Sequence, residues 1–488
     1  MTKKWAIELK KLLFTHLVLV GVPTIFLYCL RLGGWSLISL HIAITTFYVI
    51  SSLMVIWEST NSLFRRFATD SDKYLVGRFE RFWYQLKIFL RVGGARRPRS
   101  PVPVPRCSFL VAAYLPNEQD IILESLHHIL TRVYRPVDGL EVILAYNTPV
   151  DLPVEHELRQ LAQQYPELRL LRVDGSHSKA ENLNAALKIV TGEIICVLDA
   201  DHHPAPDCFM RAWHWLEHGY DVVQGRNVIR NHGQNLLTQT VAIEFETLYG
   251  VSHPAKSFLT DSSIFGGSNG YWRTSVLKQI CFNPSMLTED IDASMRTLLS
   301  GYRILHDRSI VTTELAPVDI KAFWFQRKRW AQGWLEVSLK YQRRVWRSDK
   351  FTLWQKIYWT YLLYYCDFYS LIAVQIIPVV LSLFLYQGFI PPTENAYLWF
   401  ATVLGFVCCG YQTLVTVKVA SRRYPLYYYL NHIFLLFGFI TFKNMISLVG
   451  LYDHLHGNNN WLITPRTRGR LITPSNQSLV SSQKAASN

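Results

Sequence analysis

Two apolar runs near the N-terminus constrain this chain most. Residues 12–30 and 35–57 are each long enough, as helices, to cross the hydrocarbon core of a bilayer. Inside lipid every backbone group must be satisfied within its own segment, so both runs are expected to be helical. Lys3, Lys4, Lys10 and Lys11 flank the first run, and Arg65, Arg66, Lys73, Arg78, Arg81, Lys87 and Arg91 follow the second. Only the short turn at 31–34 separates them. The positive-inside rule then puts the N-terminus and the chain beyond residue 57 in the cytosol, with the protein in the plasma (inner) membrane. The first run lacks a small-residue cleavage site followed by a mature soluble domain, so it reads as a span and not as a removed signal.

Three more apolar regions lie at roughly 351–386, 397–420 and 426–451. Two spans followed by three would leave the tail outside. Arg466, Arg468 and Arg470 argue that it lies inside. The region 351–386 is also too long for one span at about 1.5 Å per residue. One of the three is therefore expected to be interfacial, re-entrant or split, and Lys443 and Asn444 make the last a suspect.

Between the two sets lies a less apolar stretch. Half of the 488 residues are hydrophobic, which fits a soluble domain flanked by spans. The expected division is two spans over 1–60, an amphipathic interfacial helix and Pro-rich linker over 61–105, a soluble central domain over 106–345, membrane or interfacial helices over 346–456, and a cytosolic tail over 457–488. The formal net charge of +14 fits basic cytoplasmic loops and a cleft for an anionic substrate. No basic-stripe motif of a nucleic-acid binder accompanies it. The eight cysteines are scattered without CxxC spacing, so reduced thiols are expected.

Short apolar strands are expected at 107–114, 140–146, 168–173 and 193–198, with helices at 118–130 and 179–190. That alternation means an α/β core with a largely parallel sheet. Ligands of such sheets bind beyond the carboxyl ends of the strands. Asp199 and Asp201 stand at one such end.

Three groups of residues carry chemistry. Asp199-Ala200-Asp201 can turn both carboxylates into one cleft, and hard oxygen ligands suit Mg²⁺ or Mn²⁺. Alone, an Asp-x-Asp pair recurs in solvated turns. His202 and His203 follow, more naturally packing residues than ligands. Thr288-Glu289-Asp290 precedes an apolar-periodic run, with Thr288 as N-cap. Acids in a first turn are also simple partners of the helix dipole. Gln326-Arg327-Lys328-Arg329-Trp330 offers guanidiniums for a diphosphate and an indole for a sugar ring, or a basic interfacial helix.

The ordered set resembles the D, DxD, TED, QxxRW pattern of processive family 2 glycosyltransferases, which include cellulose, hyaluronan, chitin-oligosaccharide and poly-N-acetylglucosamine synthases. Ser178-Lys179-Ala180-Glu181-Asn182-Leu183, Phe265-Gly266-Gly267-Ser268-Asn269-Gly270 and Glu314-Leu315-Ala316-Pro317 resemble the connecting blocks, and the likeness covers about 108–334. It implies a GT-A fold inserted between transmembrane helices and an inverting hexosyl transfer. The implied substrates are a UDP-sugar donor, UDP-glucose or UDP-N-acetylglucosamine, and a growing polysaccharide that is translocated across the bilayer. Accessory export subunits would be further partners. It implies Asp290 as the base, supported by Glu289. Lys179, Asp199, Asp201, Gln326, Arg327 and Arg329 would meet the donor, with the metal on Asp199 and Asp201. Gly267, Ser268, Thr288 and Trp330 would line the acceptor side. Where the family has an Asp for the uracil base this chain has Asn147, whose amide would take that role. In the tail, Trp461, Thr464 and Arg466 resemble a gating segment. The alternatives are a single-transfer enzyme acting on a lipid or carrier, and a non-catalytic transporter or scaffold; the intact set of acids argues against the latter.

Overall fold

The computed structural model describes residues 2–63, 101–388 and 392–458. Residues 64–100 of the amphipathic helix and Pro-rich linker expected over 61–105, and the segment with Trp461, Thr464 and Arg466, lie outside the described residues. At the N-terminus α1 (Thr2–His16) and α2 (Val22–Leu32) are joined through a π-helical turn, Leu17–Gly21, into one apolar rod. After the glycine turn comes α3 (Ile38–Leu63), which runs past its expected end at residue 57.

The central domain is built on eight strands: β1 (Cys107–Tyr114), β2 (Leu140–Asn147), β3 (Leu168–Arg172), β4 (Ile194–Asp199), β5 (His203–Pro204), β6 (Val222–Ile229), β7 (Gly270–Arg273) and β8 (Ile304–Glu314). Their order is β3-β2-β1-β4-β7-β6-β8-β5. β3, β2, β1 and β4 run parallel, as expected. β7 is antiparallel to both β4 and β6, so the sheet is mixed. The reason is local: the chain enters β7 beside the carboxyl end of β4, where Asn269 N–H donates to the Val197 carbonyl at 2.8 Å, and must run back from there. Alternate strand residues are buried on opposite faces, Leu110, Ile143 and Val197 in one core and Phe109, Val142 and Leu198 in the other. Both faces are therefore covered, which is why these strands read as continuous apolar runs.

Five helices of this domain matter to the site: α4 (Ile122–Arg132), α5 (Lys179–Leu187), α6 (Leu236–Thr247), α7 (Glu289–Leu299) and α8 (Ile320–Arg347). The expected helix at 118–130 starts later, because Leu115–Glu118 forms a separate turn. Side chains fix the starts of α5, α6 and α8: Ser178 accepts from Glu181 N–H, Asn235 from Thr238 N–H, and Asp319 from Ala322 N–H.

The long region 351–386 is split. Leu353–Thr360, a π-helical turn and Cys366–Ala373 precede α9 (Ile376–Gln387), and α10 (Pro392–Val419) and α11 (Leu426–Leu455) follow. Five described helices are long and apolar enough to cross a membrane, and the chain is a multi-pass membrane protein. α3 and α10 run in the same direction, since Thr46 meets Tyr397 at 3.0 Å and Thr60 meets Tyr411 at 2.9 Å.

Candidate active site

The carboxyl ends of β1, β2 and β4 open on one cleft. Asp199 ends β4, and the Lys179 ammonium at the start of α5 donates to its carboxylate. Lys179 also donates to the Gly267 carbonyl at 2.7 Å and lies 4.0 Å from Glu289. Burial alone would lower the Lys179 pKa, but Asp199, Glu289 and Asp290 more than reverse this and hold it above its ordinary value. One lysine thus ties three groups named from the sequence.

Asp290 stands in the first turn of α7, against Gly267. Gly267 has φ +86°, and a Cβ there would meet Asp290 Oδ2 at 2.8 Å, so only glycine lets the carboxylate approach. The Asp290 backbone carbonyl accepts from Ser294 Oγ at 2.8 Å, which itself accepts from Phe265 N–H at 2.8 Å. Buried Gln224 holds the other side of this block, accepting from Gly266 N–H at 2.9 Å and donating to the Ser268 carbonyl at 2.9 Å. Burial, then the charge of Glu289, raises the Asp290 pKa to about 7, with Lys179 and Arg329 opposing. A carboxyl poised there can take up a proton near neutral pH.

Asp201 and His202 are fully buried. Asp201 Oδ2 accepts from Leu315 N–H at 2.9 Å, and Oδ1 lies 3.0 Å from His202 Nδ1. His202 Nε2 is 2.8 Å from both Ser268 Oγ and Glu314 Oε2. Asn227 donates to Ser268 Oγ at 3.0 Å and to Glu314 at 3.0 Å. Ser268, expected on the acceptor side, is thus part of the packing around His202. His203 turns away and stacks on His128 at 4.5 Å, where burial lowers its pKa to about 3.

From the sequence His202 reads as a packing residue, Glu314 only as part of a connecting block, and Gln224 carries no signal. For His202 the signal was its place directly after the acid pair. Ligand atoms of Asp199, Asp201 and His202 lie within 4.8 Å of one another. This oxygen-rich donor set with one imidazole fits Mg²⁺ or Mn²⁺.

α8 carries residues 326–330 past the start of α7. A Cβ at Gly333 would meet the Thr288 side chain at 2.4 Å, so the Thr288 side chain packs directly on the α8 backbone at this glycine. Thr288 occupies the N-cap position, but its hydroxyl makes no capping bond. Arg329 donates to the Leu287 carbonyl at 3.3 Å and faces Asp290. Arg327 is not brought to the cleft: it pairs with Glu244 of α6 at 2.5 Å and lies over the Trp330 ring at 4.4 Å. Gln326 is half-buried and its Oε1 has no hydrogen-bond partner among the described residues. Asn147 ends β2, donating to the Ser176 carbonyl at 2.9 Å and accepting from Asn182 at 2.8 Å.

The model of glycosyl transferase family group 2 matches residues 194–441, just over half of the chain. The chain belongs to this family. Among curated members, a probable glycosyltransferase of Bacillus subtilis is 23% identical over 66% of this chain and 76% of its own length. Glucomannan 4-beta-mannosyltransferase 1 of Oryza sativa is 26% identical over 56% of this chain, and this chain spans about half the length of that plant relative. Among solved structures, a mannosyltransferase of Pyrobaculum calidifontis in complex with GDP-Man and Mn²⁺ aligns with TM-score 0.56 and 19% identity, covering 86% of this chain and 99% of the other. The fold of this group 2 member is GT-A, flanked by apolar helices.

Proposed function

We propose that this glycosyltransferase extends a β-linked polysaccharide from a nucleotide sugar, with inversion, and passes the product across the inner membrane. The observation that carries this is the Asp290 carboxyl, raised to about 7 and held beside Gly267 and the Lys179–Asp199 pair. In this reading Asp290 takes the proton of an acceptor hydroxyl as that oxygen bonds to the anomeric carbon. The carbon–diphosphate bond breaks on the opposite face, which inverts the configuration. Glu289 keeps Asp290 basic. Lys179 and Arg329 supply positive charge where the diphosphate leaves. Asp199, Asp201 and His202 would hold a divalent cation, which when bound neutralises that leaving group. Trp330 and Thr288 line the acceptor side, and the catalytic domain over 106–345 faces the cytosol.

Chelation with EDTA is expected to cut sugar transfer by about 100-fold, the rate equivalent of a few kcal/mol of charge stabilisation. Mn²⁺ or Mg²⁺ should restore it; activity unaffected by EDTA would remove the metal from the proposal.

UDP-glucose and UDP-N-acetylglucosamine are the donors drawn from the resemblance to the synthases. GDP-mannose is a second reading. It is supported by the mannosyltransferase relatives and by Asn147, whose amide can pair with an N–H and C=O edge of either uracil or guanine. Purified enzyme in nanodiscs, given each donor in turn, should release nucleotide from one of the three and yield high-molecular-weight product. A product of one sugar on a lipid would replace the polymerase reading with single transfer.

A further inference from the structure

α11 meets the length and hydropathy of a membrane span, yet it packs on the domain helices α8 and α6 as well as on its membrane neighbours. At its start, Tyr428 OH lies 3.2 Å from His232 Nδ1, in the loop before α6. In its middle, Lys443 pairs with Glu244 of α6 at 2.7 Å. At its end, Asp453 pairs with Lys328 of α8 at 2.7 Å and with Lys11 of α1 at 2.6 Å. Tyr428 and Asp453 are about 37 Å apart along a helix, more than the roughly 30 Å hydrocarbon core. A helix crossing the bilayer would carry one end away from the catalytic domain. Here both ends and the middle touch it.

The faces of α11 agree. Tyr428, His432, Lys443 and Asp453 fall on one side at about 100° per residue. Leu426, Leu430, Ile433, Phe434 and Phe437 fall on the opposite side and are exposed, Phe434 at 88%. The polar side is used up by the domain, and an apolar stripe of this size on the outer side needs a nonpolar partner.

The other helices say where that partner lies. The domain grips the start of the α1–α2 rod through Glu8, which accepts from Trp324 Nε1 at 3.0 Å. It grips the end of α3, where Arg308 donates to the Ser62 carbonyl at 3.1 Å. It also grips the end of α10, where Arg226 donates to the Val419 carbonyl at 2.8 Å. The turn at Gly34 and the end of α9 lie at the far ends of those rods.

We propose that α11 lies in the plane of the bilayer surface, its apolar stripe in the lipid interface and its polar side on α6 and α8. The chain then crosses four times: the α1–α2 rod outward, α3 back, the segment ending in α9 outward, and α10 back. This removes the parity conflict, because the N-terminus and the chain after α11 share the side of the catalytic domain.

Epitope tags at both ends of the full chain test the topology. Protease applied to inside-out vesicles should remove both tags, and protease applied to right-side-out cells should remove neither. Removal of the two tags from opposite faces overturns the proposal. Depth tests the orientation. A nitroxide residue introduced by codon suppression at Leu430, Phe434 or Phe437 should report the same depth at all three sites, near the headgroups. A steady change of about 1.5 Å per residue along these sites would mean a transverse helix and would also overturn it.

Discussion

Asp290→Asn should lower kcat by about 10²–10⁴-fold, the usual share of a positioned base, while leaving the KM for the donor near its original value. The substitution keeps size and one oxygen, so the contact with Gly267 survives. It removes a charge that sits against Glu289 in a buried place, so the fold should not suffer. The pH profile carries a second readout. Burial and Glu289 raise the Asp290 pKa to about 7, so below that pH the carboxyl is protonated and cannot accept a proton. In the wild type kcat/KM should fall about tenfold per pH unit below 7 and level off above it. In the variant that acid limb should vanish from the residual rate. Sugar transfer by Asp290→Asn at the wild-type rate, or an unchanged acid limb, would take the base role away from Asp290.

The acids of this site were legible because motif spacing survives folding. Asp199 ends a strand of buried apolar residues, and Asp290 opens a helix behind a cap-type residue; both settings are local. What was not legible depends on contacts distant in sequence. Glu314 reaches His202 across 112 positions of chain, and nothing local to either residue marks the pair. Gln224 looks like an ordinary strand residue until the loop at 265–268 is wrapped round its amide. Arg327 shows the opposite failure. Its place in the 326–330 motif suggested a donor contact, but on a helix neighbouring residues point about 100° apart. Only part of such a motif can face one cleft. Arg329 faces Asp290, whereas Arg327 faces Glu244. The mixed sheet had the same origin, since the direction of β7 is set where the chain reaches the carboxyl end of β4 at Asn269. The topology is a further case: hydropathy marks α11 as apolar but cannot say that its polar side is already taken.

Lys328 is the third cation of that motif and points away from the cleft altogether. Its ammonium donates to Glu8 and Asp453, each at 2.7 Å, and Lys11 reaches the same two carboxylates at 3.1 and 2.6 Å. The Lys328 side chain is only 6% exposed. Two cations and two anions therefore balance where α1, α8 and α11 meet, and Trp324 closes the cluster by donating to Glu8. Lys328→Met would leave two buried carboxylates facing one ammonium. Breaking a buried pair from one side costs about 3–5 kcal/mol, because the remaining charge stays desolvated. The expected result is a large fall in the thermal midpoint of the detergent-solubilised enzyme, with the donor KM of the surviving fraction unchanged. Asp453→Asn should do the same by leaving two ammoniums facing the single carboxylate of Glu8. The double variant should lose less than the two singles combined, by about 0.5–3 kcal/mol, since each change removes the charge the other strands. A shift in donor KM would instead put Lys328 at the diphosphate. Simple additivity would mean that the four charges do not act together, and that the motif helix is anchored by packing alone.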